Sequence, residues 1–220
     1  MNHRLVRLLV YCATCWLVAQ LSFAGALAEQ RYTVLVFGDS LSAGYGMEED
    51  QGWVTLLEDK LSREQWPIRV VNGSVSGETT TGGLERLPAM LESYSPDLLI
   101  LELGGNDGLR GLPLIQLRQN LEKMIEMTQD AGAEVLLTGI QIPPNYGPRY
   151  TTPFFELYAE LAERKSLALV PFLIDGIPQQ PELMQSDGIH PRAEAQQLIV
   201  DNVWPELEPM LLKLVKQRVE

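Results

Sequence analysis

Segments with strand character alternate with segments of helical character along most of this 220-residue chain. Each strand segment is a short run of apolar and β-branched residues, whereas the helical segments carry apolar residues at three- and four-residue spacing. Strands that are joined by helical crossovers run parallel, and the crossovers cover the sheet with helices. The alternation therefore predicts an α/β fold in which a parallel sheet lies between two layers of helices.

The pattern also sets approximate boundaries for these elements. Strands are predicted over residues 32–38, 67–72, 97–103, 134–139 and 168–172. Helical spacing is found over 53–61, over 79–94 and from Leu114 to Ile125, and this third helix is expected to close at Gly132. Pro191 should open a final helical region that Pro205 interrupts.

The first 28 residues resemble a secretory signal rather than part of the fold. Arg4 and Arg7 form a positively charged start, residues 8–21 are uncharged and largely apolar, and Ala26-Leu27-Ala28 supplies small residues at a cleavage point. We expect cleavage before Glu29, which would leave one domain over 29–220. The mature protein is then expected in the periplasm or the medium, without a stable membrane anchor.

Composition and charge exclude several kinds of chemistry. The chain has 17 Lys and Arg against 29 Asp and Glu, a net charge of -12, which argues against a nucleic-acid partner. Cys12, Cys15 and His3 all fall within the predicted signal. A mature chain would therefore have no thiol nucleophile and no disulfide, and His190 alone cannot form a zinc site with several histidine ligands.

Polar and small residues concentrate where the predicted strands end, and in a loop before the last helix. They occupy residues 38–42, 74–78, 104–107 and 186–191. Ligands of parallel α/β sheets bind at the carboxyl ends of the strands. These four segments are therefore the candidate site.

Ser40 and His190 are the candidate nucleophile and base. Ser40 follows a glycine at the end of the first strand, and Asp187 precedes His190 by three residues, close enough to accept from Nδ1 of the ring. This arrangement would let Nε2 take a proton from a serine. Each residue also has a plain alternative: a capping serine for Ser40, a structural histidine for His190, and an Asx turn for Asp187.

Three donors could stabilise the oxyanion of an acyl-transfer intermediate. They are the backbone N–H of Ser40, the backbone N–H of Gly77 and the side-chain amide of Asn106. Taken one by one, Gly77 and Asn106 are equally typical of ordinary turns.

The chain carries four motifs, which are Gly38-Asp39-Ser40, Gly77, Gly104-Gly105-Asn106-Asp107 and Asp187-Gly188-Ile189-His190. They occur in the order found in SGNH (GDSL-type) hydrolases, and the chain resembles that family. The resemblance implies a flavodoxin-like three-layer α/β/α sandwich with a five-stranded parallel sheet. It also implies a Ser40, Asp187 and His190 triad, an oxyanion hole of Ser40, Gly77 and Asn106, and no metal or cofactor.

Segments 104–112, 143–150 and 184–191 resemble the esterases, thioesterases and lysophospholipases of the family. This implies hydrolysis of acyl esters and thioesters, with a small acyl ester or a lysophospholipid as substrate, and we expect a monomer. Leu109, Ile142, Tyr146 and Phe154 could line an acyl groove, or could simply pack a long loop onto the body. Two alternatives are a carbohydrate O-deacetylase of the same family and a non-enzymatic flavodoxin-like binding module.

Overall fold

The computed structural model describes residues 32–217, whose parallel strands form one sheet in the order β2-β1-β3-β4-β5. The strands are β1 (Tyr32–Gly38), β2 (Ile68–Asn72), β3 (Leu98–Glu102), β4 (Glu134–Thr138) and β5 (Ala168–Val170). This is the flavodoxin-like order, in which the chain reverses direction across the sheet between β1 and β3. The predicted fold class is therefore confirmed.

Helices cover both faces of this sheet. They are α1 (Ser40–Ala43), α2 (Trp53–Arg63), α3 (Thr80–Tyr94), α4 (Gly105–Leu109), α5 (Leu114–Asp130), α6 (Pro148–Lys165) and α7 (Gln196–Gln217). Short 3₁₀ helices lie at Glu49–Gln51, Pro144–Tyr146, Pro181–Leu183 and Ala193–Ala195. None of the helices within 32–217 is long and apolar enough to cross a membrane.

The two faces of β1 belong to two separate hydrophobic cores. Val34 and Val36 face the helices α2 and α7, whereas Leu35 and Phe37 face α3, α5 and α6. All four side chains are completely buried. A central strand that is apolar on both faces is typical of parallel sheets covered by helices, so β1 is a rigid base for the loop that follows it.

Two helices differ from the sequence prediction. α6 occupies residues 148–165, of which the first half was expected to be loop, because its two prolines masked the periodicity. α7 begins only at Gln196 and continues through Pro205, so the expected interruption is wrong. A proline inside a helix costs about 3 kcal/mol. Buried contacts along α7, including Ile199, Val203 and Leu207, offset that cost.

The predicted signal segment, residues 1–28, lies outside the described residues. Its cleavage and the localisation that it implies therefore stay predictions.

Candidate active site

Four segments meet at the carboxyl edge of the sheet. Ser40 begins α1 directly after β1, Gly77 lies between β2 and α3, Asn106 lies in α4 after β3, and His190 precedes α7. All four residues line one cavity of about 540 Å³. Residues that are far apart in sequence therefore share one solvent-accessible space.

A chain of hydrogen bonds joins Ser40, His190 and Asp187. The Ser40 Oγ lies 2.8 Å from His190 Nε2, and the Asp187 Oδ2 lies 2.7 Å from His190 Nδ1. The backbone N–H groups of Ile189 and His190 donate to the Asp187 Oδ1 at 2.9 and 3.0 Å. The turn therefore fixes both the carboxylate and the imidazole, leaving Nε2 directed at the serine.

The environment of Asp187 keeps this carboxylate ionised. Partial burial by itself would raise its pKa, but the hydrogen bonds from the His190 ring and from the His190 and Ile189 backbone outweigh burial and lower the pKa to about 2. A negative charge beside Nδ1 favours the tautomer in which Nε2 is the proton acceptor, and it stabilises an imidazolium.

The three residues expected to supply oxyanion donors line the same cavity as His190. Gly77 has a φ of 80°, and a Cβ at this residue would contact nothing within 4 Å, so backbone conformation rather than crowding requires glycine. Asn106 Nδ2 donates to Asp39 Oδ2 at 3.0 Å. Since an amide nitrogen carries two hydrogens, the second remains able to donate to a substrate oxygen.

Two buried carboxyl groups behind Ser40 hold the turn in place. Asp39 also accepts from the Leu41 N–H at 3.1 Å, and Glu102 Oε2 accepts from the Asp39 N–H at 3.1 Å and from Ser42 Oγ at 2.8 Å. Burial raises the pKa of Asp39 to about 6, and burial next to Asp39 raises that of Glu102 well above its usual range. Glu102 was not predicted from the sequence, although an acidic residue in a buried strand is a usable signal.

The cavity is mostly apolar beyond the reacting groups. Leu109 and Ile142 line it, as expected for an acyl groove. A second wall, missed by the sequence analysis, comes from the segment after β5 and includes Phe172, Ile174 and Met184. This segment also follows the carboxyl end of a strand, so the rule that selected the other loops would have selected it.

Two predicted groove residues lie elsewhere. Phe154 is completely buried on α6, with its ring centroid 6.2 Å from that of Tyr150 and 5.8 Å from that of Tyr158. Tyr146 lies outside the cavity lining and donates its hydroxyl to the Leu109 carbonyl oxygen at 2.7 Å. Neither side chain lines the cavity in this structure, because helix formation turns Phe154 into the core and Tyr146 supports the loop of Leu109 from outside.

Within residues 32–217, no group of three or more His, Cys, Asp or Glu side chains is arranged to hold a metal ion.

Comparison with known proteins identifies the family. The model of the GDSL-like lipase/acylhydrolase family matches residues 36–198. The chain belongs to this family. As a GDSL-like hydrolase it is a carboxylic ester hydrolase, and the resemblance inferred from the sequence is confirmed.

This GDSL-like hydrolase has close relatives. It is 51% identical over 179 residues to Esterase TesA of Pseudomonas aeruginosa, covering 81% of this chain and 89% of that protein. It is 43% identical over 191 residues to Thioesterase 1/protease 1/lysophospholipase L1 of Escherichia coli K12, covering 87% and 89%. The structure of AlinE4, an SGNH-hydrolase family esterase, matches with a TM-score of 0.68 and 38% identity, covering 82% and 97%.

Proposed function

We propose that this GDSL-like hydrolase is a serine esterase that cleaves acyl esters and thioesters through an acyl-Ser40 intermediate. The observation that carries the proposal is the unbroken chain from Ser40 through His190 to Asp187 at the wall of an apolar cavity. A capping serine or a structural histidine would not require this alignment.

In the proposed mechanism, Ser40 Oγ attacks the carbonyl carbon while His190 Nε2 accepts its proton. The oxyanion receives hydrogen bonds from the Ser40 and Gly77 backbone N–H groups and from Asn106. The tetrahedral intermediate collapses as His190 returns the proton to the leaving alcohol or thiol. Water then attacks the acyl-Ser40 ester with His190 again as the base, which releases the carboxylic acid and regenerates Ser40.

The proposed substrates are single-chain acyl esters, including lysophospholipids. Leu109 and Ile142 offer apolar surface to the acyl chain. Burying one methylene contributes up to about 0.8 kcal/mol, equivalent to up to about a fourfold gain in kcat/KM. Specificity should therefore rise with chain length until the cavity is full, and then level off.

The test is to measure kcat/KM for p-nitrophenyl esters from acetyl to palmitoyl and to locate the site labelled by a fluorophosphonate. Labelling should fall on Ser40, and Ser40→Ala should lose both label and turnover while remaining folded. Labelling of Ser42 or Ser76 would contradict the assignment. An optimum at acetyl, with higher turnover of acetylated sugars, would favour a carbohydrate deacetylase instead.

The proposal includes export and action as a monomer. Residues 1–28 carry the charge and apolar pattern of a secretory signal, and cleavage would leave a protein that begins at Glu29 in the periplasm or medium. Intact mass of the exported protein tests cleavage, and sedimentation tests the monomer. An exported chain that retained Met1 would contradict the proposed cleavage.

A further inference from the structure

Ser40, at the start of α1, and His190, in the loop before α7, are 150 residues apart in sequence. Asp187 accepts hydrogen bonds from Ile189 and His190, which belong to its own turn. These bonds orient the imidazole within that turn, but they do not fix its distance from Ser40. Reaction rates are sensitive to errors of about 1 Å in such distances, so a contact between the α1 region and the His190 loop is needed.

The side chain of Gln185 makes such a contact. Its Nε2 donates to the Tyr45 carbonyl oxygen at 2.8 Å and to the Pro191 carbonyl oxygen at 3.1 Å. Its backbone N–H donates to the His190 carbonyl oxygen at 2.8 Å. Gln185 is thus hydrogen-bonded both to the turn that follows the helix of Ser40 and to the loop that carries the His190 imidazole.

The turn after α1 is shaped to receive Gln185. Gly44, with a φ of 73°, ends α1, so the turn of residues 44–46 follows the helix of Ser40 directly. Gly46 has a φ of 74°, and a Cβ at this position would lie 2.6 Å from Gln185 Oε1. Glycine at 46 therefore permits both the turn and the close approach of the glutamine side chain.

The same turn places an aromatic ring on the imidazole. The ring centroids of Tyr45 and His190 are 4.5 Å apart, with planes tilted by 37°. Tyr45 is 50% exposed and lines the cavity. A large aromatic side chain gains stability from burial, so this exposed position is not explained by packing alone. An aromatic ring at this distance restricts rotation of the imidazole.

We propose that Gln185 and Tyr45 are positioning residues for His190. Gln185 sets the separation between the turn after α1 and the His190 loop through the carbonyl oxygens of Tyr45 and Pro191, and the Tyr45 ring holds the imidazole in line with Ser40. The inference rests on the proposed function, since positioning matters only if Ser40 and His190 exchange a proton.

The first test compares Gln185→Ala and Gln185→Glu with the matched control Gln180→Ala. Gln180 also donates through Nε2 to a backbone carbonyl, that of Gly176 at 2.8 Å, but Gly176 belongs neither to the turn after α1 nor to the loop that carries His190. Both Gln185 variants should lower kcat about tenfold with KM changed less than about twofold. Gln185→Glu should do no better than Gln185→Ala, because a carboxylate accepts and does not donate.

Melting curves separate positioning from a general loss of stability, since kcat is compared only at temperatures where every variant is folded. Wild-type kcat in either folded Gln185 variant would overturn the role of Gln185. A tenfold loss in Gln180→Ala would overturn it as well, because any lost glutamine bond would then have the same effect.

A second pair of variants tests the ring and does not depend on Gln185. Tyr45→Phe keeps the aromatic face, so it should turn over several-fold faster than Tyr45→Leu; equal rates would overturn the role of the ring. Ser40→Ala, measured alongside, separates the test of the proposed function from the test of the positioning role. Turnover in Ser40→Ala refutes the proposed function, whereas an inactive Ser40→Ala beside an unimpaired Gln185→Ala refutes only this inference.

Discussion

Asp39 carries a charge that the fold buries almost completely, with 2% of the residue exposed. Burial raises its pKa from 3.8 to about 6, and the hydrogen bond from Leu41, the charge of His190 and the hydrogen bond from Asn106 offset only part of that effect. A tenfold change in proton affinity is worth about 1.4 kcal/mol, so ionised Asp39 costs the folded state about 3 kcal/mol.

The sign of this effect follows from the two pKa values. Well below pH 3.8 the carboxyl group is protonated in the folded and the unfolded chain, and the cost is absent. Between pH 3.8 and about 6 only the folded chain keeps the proton, so the free energy of unfolding falls as the pH rises. Above about pH 6 the full cost is present.

Asp39→Asn removes this titration and should change the pH dependence of stability. Urea unfolding of both proteins gives the difference in their unfolding free energies at pH 4 and at pH 7.5. Between these two pH values, the difference should move by about 2 kcal/mol in favour of the Asp39→Asn variant. The expected change is smaller than the full cost of about 3 kcal/mol because part of that cost is already present at pH 4.

Any constant cost of lost hydrogen bonds to Leu41 and Asn106 cancels between the two pH values. Added salt should change the result little, since buried charges are screened weakly. A difference in unfolding free energy that stays the same at pH 4 and pH 7.5 would refute the reasoning, because the buried charge would then cost the fold nothing.

Four further substitutions, three at the site and one in the core, have expected outcomes. Asn106→Ala should lower kcat by about 10²–10³ with little change in KM, as measured with a short ester, because one oxyanion donor is lost. Asp187→Asn should reduce kcat by up to about 10⁴ by disturbing the tautomer of His190; a loss expressed only in KM would contradict this role. Leu109→Ala should lower kcat/KM by up to about tenfold for long-chain esters only. Phe154→Ala should instead lower the unfolding free energy by about 3–5 kcal/mol and leave the chain-length preference unchanged.

The sequence by itself determined the class of fold and the segments that meet at its functional edge. The bounds predicted for β1 are those observed, because a short apolar run that ends in glycine leaves few alternatives. Parallel strands then require that the residues after β1, β2 and β3 share one edge. The order of the four motifs identified the family, which the chemistry of each motif taken by itself had left open.

Only the tertiary structure decided which side chains face the cavity and which face the core. Phe154 looked like a groove residue because it follows β4 in a proline-containing segment, but packing of α6 against the sheet buries it completely. The path of α7 through Pro205 likewise depends on burial of its inner face. Neither outcome is local, since the energy that offsets a proline or selects a helix face comes from residues distant in sequence.

The contact of Gln185 with Tyr45 likewise depends on residues that are distant in sequence. The two residues are 140 positions apart, and nothing in the sequence near either one specifies the other as a partner. Their bond exists because Leu41 of α1 and Met184, next to Gln185, pack into the same hydrophobic core, within reach of a glutamine side chain. Local patterns determined most elements of this protein, and long-range packing determined the distances between the groups that they carry.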